Sequence, residues 1–159
     1  MDRRKFLKKS VGAALSASLA SSLVPALAQA AAPAALEGED LAKLGKALKD
    51  ALGKEFKDLL PSTDVKLVLP TIAESGANVP VEIESALAMS QVKAVHCFSD
   101  KNPNPHLFSV FFGPASTTPY YATRVRIAET APVRAILETA DGKFLLASQS
   151  VRVTVGGCG

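Results

Sequence analysis

The stretch Val133-Arg134-Ala135-Ile136-Leu137-Glu138-Thr139-Ala140-Asp141-Gly142-Lys143-Phe144-Leu145-Leu146-Ala147-Ser148-Gln149-Ser150-Val151-Arg152-Val153-Thr154-Val155 decides the fold. Two runs rich in Val, Ile, Leu and Phe flank Asp141-Gly142, a dipeptide suited to a hairpin turn in which both turn positions take positive φ. The second run ends with Val151, Val153 and Val155 alternating with Arg152 and Thr154, the period of a half-buried strand. A β-hairpin is therefore expected, its second strand running to within four residues of the end of the chain.

Outward from the hairpin the same texture continues. Short segments rich in Val, Ile and Phe, broken by Pro, Gly, Asn and Asp, predict strands over 65–69, 79–84, 91–98, 107–112 and 121–127, in addition to 133–139 and 143–155. Seven strands at short intervals with no helix between them indicate an antiparallel β-sandwich. Ahead of them Leu41, Leu44, Leu48, Leu52 and Phe56 recur in steps of three and four, which predicts a helix over 37–60. Glu37, Glu39 and Asp40 at its start, Lys54 and Lys57 near its end, and Pro61 beyond it suit the helix dipole and a stop. The fold class is mainly β, with one N-terminal helix.

Residues 1–30 read differently. Arg3, Arg4, Lys5, Lys8 and Lys9 precede a weakly apolar Ala/Ser stretch that ends at Ala28-Gln29-Ala30, the layout of a removable export signal. The stretch falls short of the roughly 20 strongly apolar residues of a spanning helix, so no membrane anchor is expected. Arg3 and Arg4, followed by Phe6 and Leu7, resemble the twin-arginine signal that exports folded proteins, although Asp2 stands where Ser or Thr is usual. A general secretory signal holding two arginines is the alternative, and both routes lead outside the cytoplasm. Five of the 18 Lys/Arg residues and one of the 15 Asp/Glu residues lie in this segment, leaving 13 basic against 14 acidic. That balance offers no electrostatic case for nucleic-acid or anionic-membrane partners. The remaining 129 residues suit one compact domain. It spans residues 31–155 and is followed by an arm, 156–159.

Chemistry concentrates in the arm. After Val155 come Gly156, Gly157, Cys158 and Gly159, a thiol on a flexible tether beyond a fixed strand. Three residues reach about 10 Å at full extension, enough to enter a narrow channel. The terminal carboxylate next to Cys158 disfavours its thiolate, so groups that activate it belong to partner enzymes. Such a thiol suits a carrier better than a catalyst, and no catalytic residue is assigned. A structural disulfide to Cys97 or to another chain, and an end without function, remain open on spacing alone. A prenylation site does not, because only Gly159 follows Cys158. The two cysteines are too few for a disulfide framework. Cys97, beside His96 and near His106, lacks further ligands for a metal, and packing as a small buried hydrophobe is expected.

Four features together resemble the SoxY family, the sulfur-carrier subunits of bacterial thiosulfate oxidation. They are the twin-arginine leader, the run Leu69 to Val81 (P-x-I-A-E-x-G-x-x-V-P within it), the Lys101-Asn102-Pro103-Asn104-Pro105 loop, and the tail Val153 to Gly159. The resemblance spans nearly the whole chain. It implies an immunoglobulin-like sandwich in the periplasm, paired with a SoxZ-like subunit. It implies further that thiosulfate is oxidatively coupled to the arm cysteine, here Cys158, with Gly156, Gly157 and Gly159 as tether. The other partners it implies are a c-type cytochrome, a sulfate-releasing hydrolase and, in some systems, a sulfane dehydrogenase. No cofactor is implied beyond the covalently bound sulfur. Cys97 is not part of the family pattern. The alternative function is an exported assembly or adhesion module joined through an interchain disulfide at Cys158.

Overall fold

The predicted helix forms but ends early. The computed structural model describes residues 38–155, and α1 occupies Glu39–Leu52. Gly53 closes it in the left-handed conformation (φ 66°, ψ 21°), its N–H donating to the Lys49 carbonyl at 2.9 Å. A left-handed C-terminal cap favours glycine and ends the helix well before Pro61. Residues 53–60, expected as helix, instead form a 3₁₀ turn, Phe56–Asp58, and enter strand β1, Leu59–Pro61. Leu44 and Leu48 are fully buried, whereas Leu41, on the same predicted face, is 41% exposed.

All seven predicted strands are present, within a few residues at each end. They are β2 (Val65–Val68), β4 (Val79–Ser85), β5 (Val92–Ser99), β6 (His106–Phe111), β7 (Tyr120–Val125), β8 (Ala131–Thr139) and β9 (Phe144–Val155). Sequence periodicity missed two short strands, β1 and β3 (Ile72–Ser75). Both run parallel to β9, so the otherwise antiparallel sandwich has a parallel margin. The larger sheet has the order β1-β9-β8-β5-β6 with β3 also on β9, and the smaller has the order β2-β4-β7.

The hairpin turn differs from the expectation as well. Asp141 does not take positive φ; Gly142 alone does (φ 82°), and Thr139 N–H bonds to the Lys143 carbonyl at 3.0 Å. The connection is thus a three-residue loop, Ala140 to Gly142, ending in a left-handed glycine, which is the next commonest hairpin solution. Asp141 is held by the Lys143 ammonium (2.7 Å) and the Thr139 hydroxyl, and these contacts lower its carboxyl pKa to about 2.

Two cores make three layers. Val81, Ile83, Val95, Cys97, Val133, Ala135, Leu137 and Val151 fill the space between the sheets. On the outer face of the larger sheet, Leu44 and Leu48 of α1 pack on Phe98, Ile136, Phe144 and Leu146. β5 and β8 are therefore buried on both faces and read as nearly unbroken buried runs. In contrast β4, with one face in solvent, alternates buried and exposed without exception. Leu48→Ala is expected to cost about 2–5 kcal/mol, read by urea unfolding, because the helix has no other fully buried side chain than Leu44 to hold it.

Candidate functional site

β9 delivers the chain to the edge of the sandwich, and the segment around β3 holds it there. Arg152 N–H donates to the Thr71 carbonyl (2.9 Å), and Gly76 N–H donates to the Val155 carbonyl (3.0 Å). The Thr154 hydroxyl proton is shared between the carbonyls of Glu74 (2.9 Å) and Ala73 (3.3 Å). Val153 N–H donates to Thr130 Oγ1 at 3.0 Å, and Ile127 N–H donates to the Gly76 carbonyl at 2.7 Å. The backbone is thus bonded up to Val155, whose side chain is 62% exposed. Of the polar loop 74–78, Gly76 is a brace for β9. The Thr154 hydroxyl, at the penultimate strand position, adds to this brace through the Ala73 and Glu74 carbonyls and not through Gly76.

The tail itself, Gly156, Gly157, Cys158 and Gly159, lies outside the described residues, as do Arg3 and Arg4. Cys97 is described: it is a free thiol, 0% exposed, in the core between the sheets. Burial pushes its pKa up to about 12, since the thiolate loses its hydration there. It packs as the small hydrophobe expected. His96 stands next to it in sequence but on the opposite face of β5, toward α1. Among the described residues no cluster of His, Cys, Asp or Glu is arranged to hold a metal.

The Lys101-Asn102-Pro103-Asn104-Pro105 loop also has a structural part. The Asn102 side chain donates to the Arg126 carbonyl (2.8 Å) and accepts from Ala128 N–H (2.9 Å) and the Ser99 hydroxyl (3.2 Å). Next to it Asp100 and Arg134, both buried, form a two-pronged ion pair at 2.7 Å in each arm. Removing one member of such a pair leaves an uncompensated buried charge. The Arg134 guanidinium also lies over the Phe56 ring at 5.6 Å, tying the turn after α1 to the sheet.

A second polar group was not foreseen. Strict alternation along β6 would put His106 and Ser109 on opposite faces. The register between β5 and β6 shifts after Cys97, so that Phe98 pairs with His106. This bulge turns His106 onto the face of Ser109. Ser109 Oγ then lies 2.7 Å from His96 Nδ1 and 2.9 Å from His106 Nε2. His96 Nε2, buried and without a hydrogen bond, is 3.6 Å from Glu138 Oε2, whose other oxygen accepts from Lys93 at 2.6 Å. A hydroxyl has one proton, so at most one of the two imidazoles can accept from Ser109. With Nε2–H toward Glu138, the consistent order is His106 donating to Ser109 and Ser109 to His96.

A β-sandwich with an outer helix and a braced terminal strand defines the class of protein. Residues 48–158 match the family model of the sulfur oxidation protein SoxY, and the chain belongs to that family. Among solved structures it is similar to the sulfur carrier protein SoxY from Chlorobium limicola f thiosulfatophilum. That match has a TM-score of 0.60 and 27% identity, covering 72% of this chain and 98% of that one. It is also similar in fold to a putative superoxide reductase from Thermotoga maritima (TM-score 0.53, 13% identity, 63% of this chain and 98% of that one). The superoxide reductase (neelaredoxin) of Ignicoccus hospitalis matches at TM-score 0.51 and 16% identity, over 63% of this chain and 99% of that one. These two share the fold alone. No curated protein sequence matches this chain significantly.

Two measurements follow. Alkylation of the native protein should spare Cys97, which should react in denaturant; rapid native labelling of Cys97 would contradict its burial. Burial, opposed by Glu138, lowers the His96 pKa. A folded-state pKa below the unfolded one means the unfolded chain binds the extra proton, so stability falls as pH drops below about 6.5. Urea unfolding across that range should show a shallower slope for His96→Gln, and an unchanged slope would remove His96 as the cause.

Proposed function

We propose that this protein is a covalent sulfur carrier of periplasmic thiosulfate oxidation, loaded on Cys158 and exported through the signal containing Arg3 and Arg4. What supports the reading is membership of the SoxY family together with one observation: the backbone is hydrogen-bonded as far as Val155, three residues before the cysteine. A fixed base and a glycine tether let a thiol search a partner's channel while the domain stays docked. Among the described residues no helix is long and apolar enough to cross a membrane.

In the loading step a sulfur–sulfur bond forms between the Cys158 thiolate and the outer sulfur of thiosulfate. This yields cysteine S-thiosulfonate and two electrons, which pass to a c-type cytochrome partner. Water then attacks the terminal sulfone under a hydrolase, releasing sulfate and two protons and leaving the persulfide on Cys158. Nothing among the described residues is assigned to catalyse either step. The domain's role is to present the sulfur and to keep a thiol-reactive intermediate from exchanging with other thiols. A SoxZ-like subunit is the expected partner in a heterodimer.

Intact-mass spectrometry of protein from thiosulfate-oxidising cells should find sulfur-bearing adducts on Cys158, and Cys158→Ser should abolish both the adducts and thiosulfate turnover. Normal turnover in the serine variant, with a reducible covalent dimer in the wild type, would instead indicate an assembly module.

A further inference from the structure

β6 is a free edge of the larger sheet, paired with β5 on one side only. Phe112 N–H donates to the Lys93 carbonyl at 3.1 Å, and Ala94 stands opposite Phe111. Alternation along an antiparallel pair then turns the N–H and C=O groups of Ser109 and Phe111 away from β5, toward the open side. An open row of this kind accepts a further strand, and folded proteins guard it with shortness, charge or proline. The other edge strands are so guarded. β1 has three residues and ends in Pro61, β2 and β3 have four each and carry Lys66 and Glu74, and β7 carries Arg124. β6 has six residues with no Lys, Arg, Asp, Glu or Pro among them. The bulge at its start leaves Phe108 to Phe111 in regular register. Phe111, at the end of the open row, is 67% exposed, more than any other large hydrophobic side chain among the described residues.

A hollow flanks this edge on each face of the sheet. On the outer face a cavity of about 600 Å³ lies between α1 and β6, with Asn104 between its two prolines, His106 and Ser109 on the β6 side. On the inner face a cleft of about 420 Å³ opens between β6 and β7, with Leu107, Phe108, Tyr121 and Arg124 among its walls. An added strand sends successive side chains to opposite faces, so its residues fill the two hollows in turn. The walls are already fixed: Asn102 bonds to Arg126 and Ala128 at the mouth of the cleft, and the Phe108 and Tyr121 rings meet at 5.3 Å. Pinned walls lose little conformational entropy when a strand arrives.

Charge selects the strand. In the outer cavity Lys43 and Lys46 stand against Asp50, and Glu39 pairs with Lys43 at 2.8 Å, so that side is balanced. The inner cleft is lined by Arg124 and Arg126 and by no Asp or Glu. Arg124 has no hydrogen bond or ion pair among the described residues. A second copy of this chain, pairing β6 with β6, sets these arginines toward their own equivalents, and like charges across an interface are unfavourable. A strand with a carboxylate on its cleft side instead gives Arg124 a charge-assisted partner.

The geometry points to β6 as a docking edge, where an extended strand of another polypeptide joins the larger sheet and directs apolar residues and a carboxylate into the β6–β7 cleft. The edge, the hollows and the unpaired arginine belong to this chain. The identity of the other polypeptide rests on the heterodimer proposed above, whose SoxZ-like subunit is taken as the owner of the strand. β8 and β5 stand between β9 and this edge, so docking at β6 leaves β9 and its parallel braces as they are.

The test compares the full chain alone with the full chain bound to the SoxZ-like subunit, following amide hydrogen exchange by NMR. Alone, the Ser109 and Phe111 amides should exchange about tenfold faster than those of Val110 and Phe112, which face β5. In the complex they should slow to the rate of these neighbours. Arg124→Glu should weaken the complex about tenfold, with urea unfolding unchanged because the side chain is exposed. Lys66→Gln, on an edge of the smaller sheet, should leave affinity as it is. A complex in which Ser109 and Phe111 still exchange fast, or which binds Arg124→Glu as tightly as the wild type, overturns the docking edge and leaves the heterodimer standing. Slowing that grows with the concentration of this chain alone puts a second copy on the edge and overturns the acidic partner. Failure of the two subunits to associate overturns this inference and the heterodimer together.

Discussion

β9 is the strand on which the rest of the molecule depends. Over Phe144–Val155 it pairs antiparallel with β8 and parallel with two short strands, β1 at its start and β3 at its end. Its side chains feed both cores: Phe144 and Leu146 lie under the helix, and Val151 lies between the sheets. A strand bonded along both margins cannot slip by one residue without exchanging its buried and exposed faces. That restraint fixes the position of Val155 at the end of the sheet. The parallel strands carry no catalytic group, and their contribution is to keep the last turns of backbone from fraying, the ordinary fate of a terminus.

The outer layer is joined to the sheet by few but complete contacts. Leu44 and Leu48 supply the apolar seal, and the Arg134–Asp100 pair, with Phe56 beneath the guanidinium, closes the end near the loop. Between them the bulge in β5–β6 collects His96, Ser109 and His106 into one hydrogen-bonded group facing the helix. The same sheet therefore has an apolar interior on one side and a mixed, partly polar face on the other. Its inner face includes Cys97, the thiol that sequence proximity to two histidines made a nominal metal candidate. Alternation along β5 separates Cys97 from His96 by the thickness of the sheet, and desolvation keeps the sulfur protonated.

Family membership and physical reading converge on the same segments for different reasons. The stretch from Leu69 to Val81 matters here because its Gly76 amide and its Ala73 and Glu74 carbonyls bind the end of β9. The Lys101 to Pro105 loop matters because Asn102 satisfies three neighbours at once and leaves Asn104 and the prolines to wall a cavity. In both cases polar residues in a loop, which on spacing alone pass equally for mere connection, are positioned by buried backbone groups that had to be satisfied.

The amino-acid sequence alone determined the class of fold, seven of the strands, the amphipathic helix and the buried state of Cys97, because each is written in local periodicity or in residue size and polarity. The family was legible too, from the tail, the leader and two internal motifs. Tertiary structure alone decided the rest. The helix stops at Leu52 because Gly53 takes a left-handed cap, and residues expected to continue it pair with β9 instead. β1 and β3 span three and four residues, too short to show a period, and exist only because β9 offers a partner. The three-residue turn at Gly142 and the meeting of His96, Ser109 and His106 depend on one-residue shifts in strand register. Such shifts change which side chains share a face while leaving local composition untouched, so no window of sequence records them.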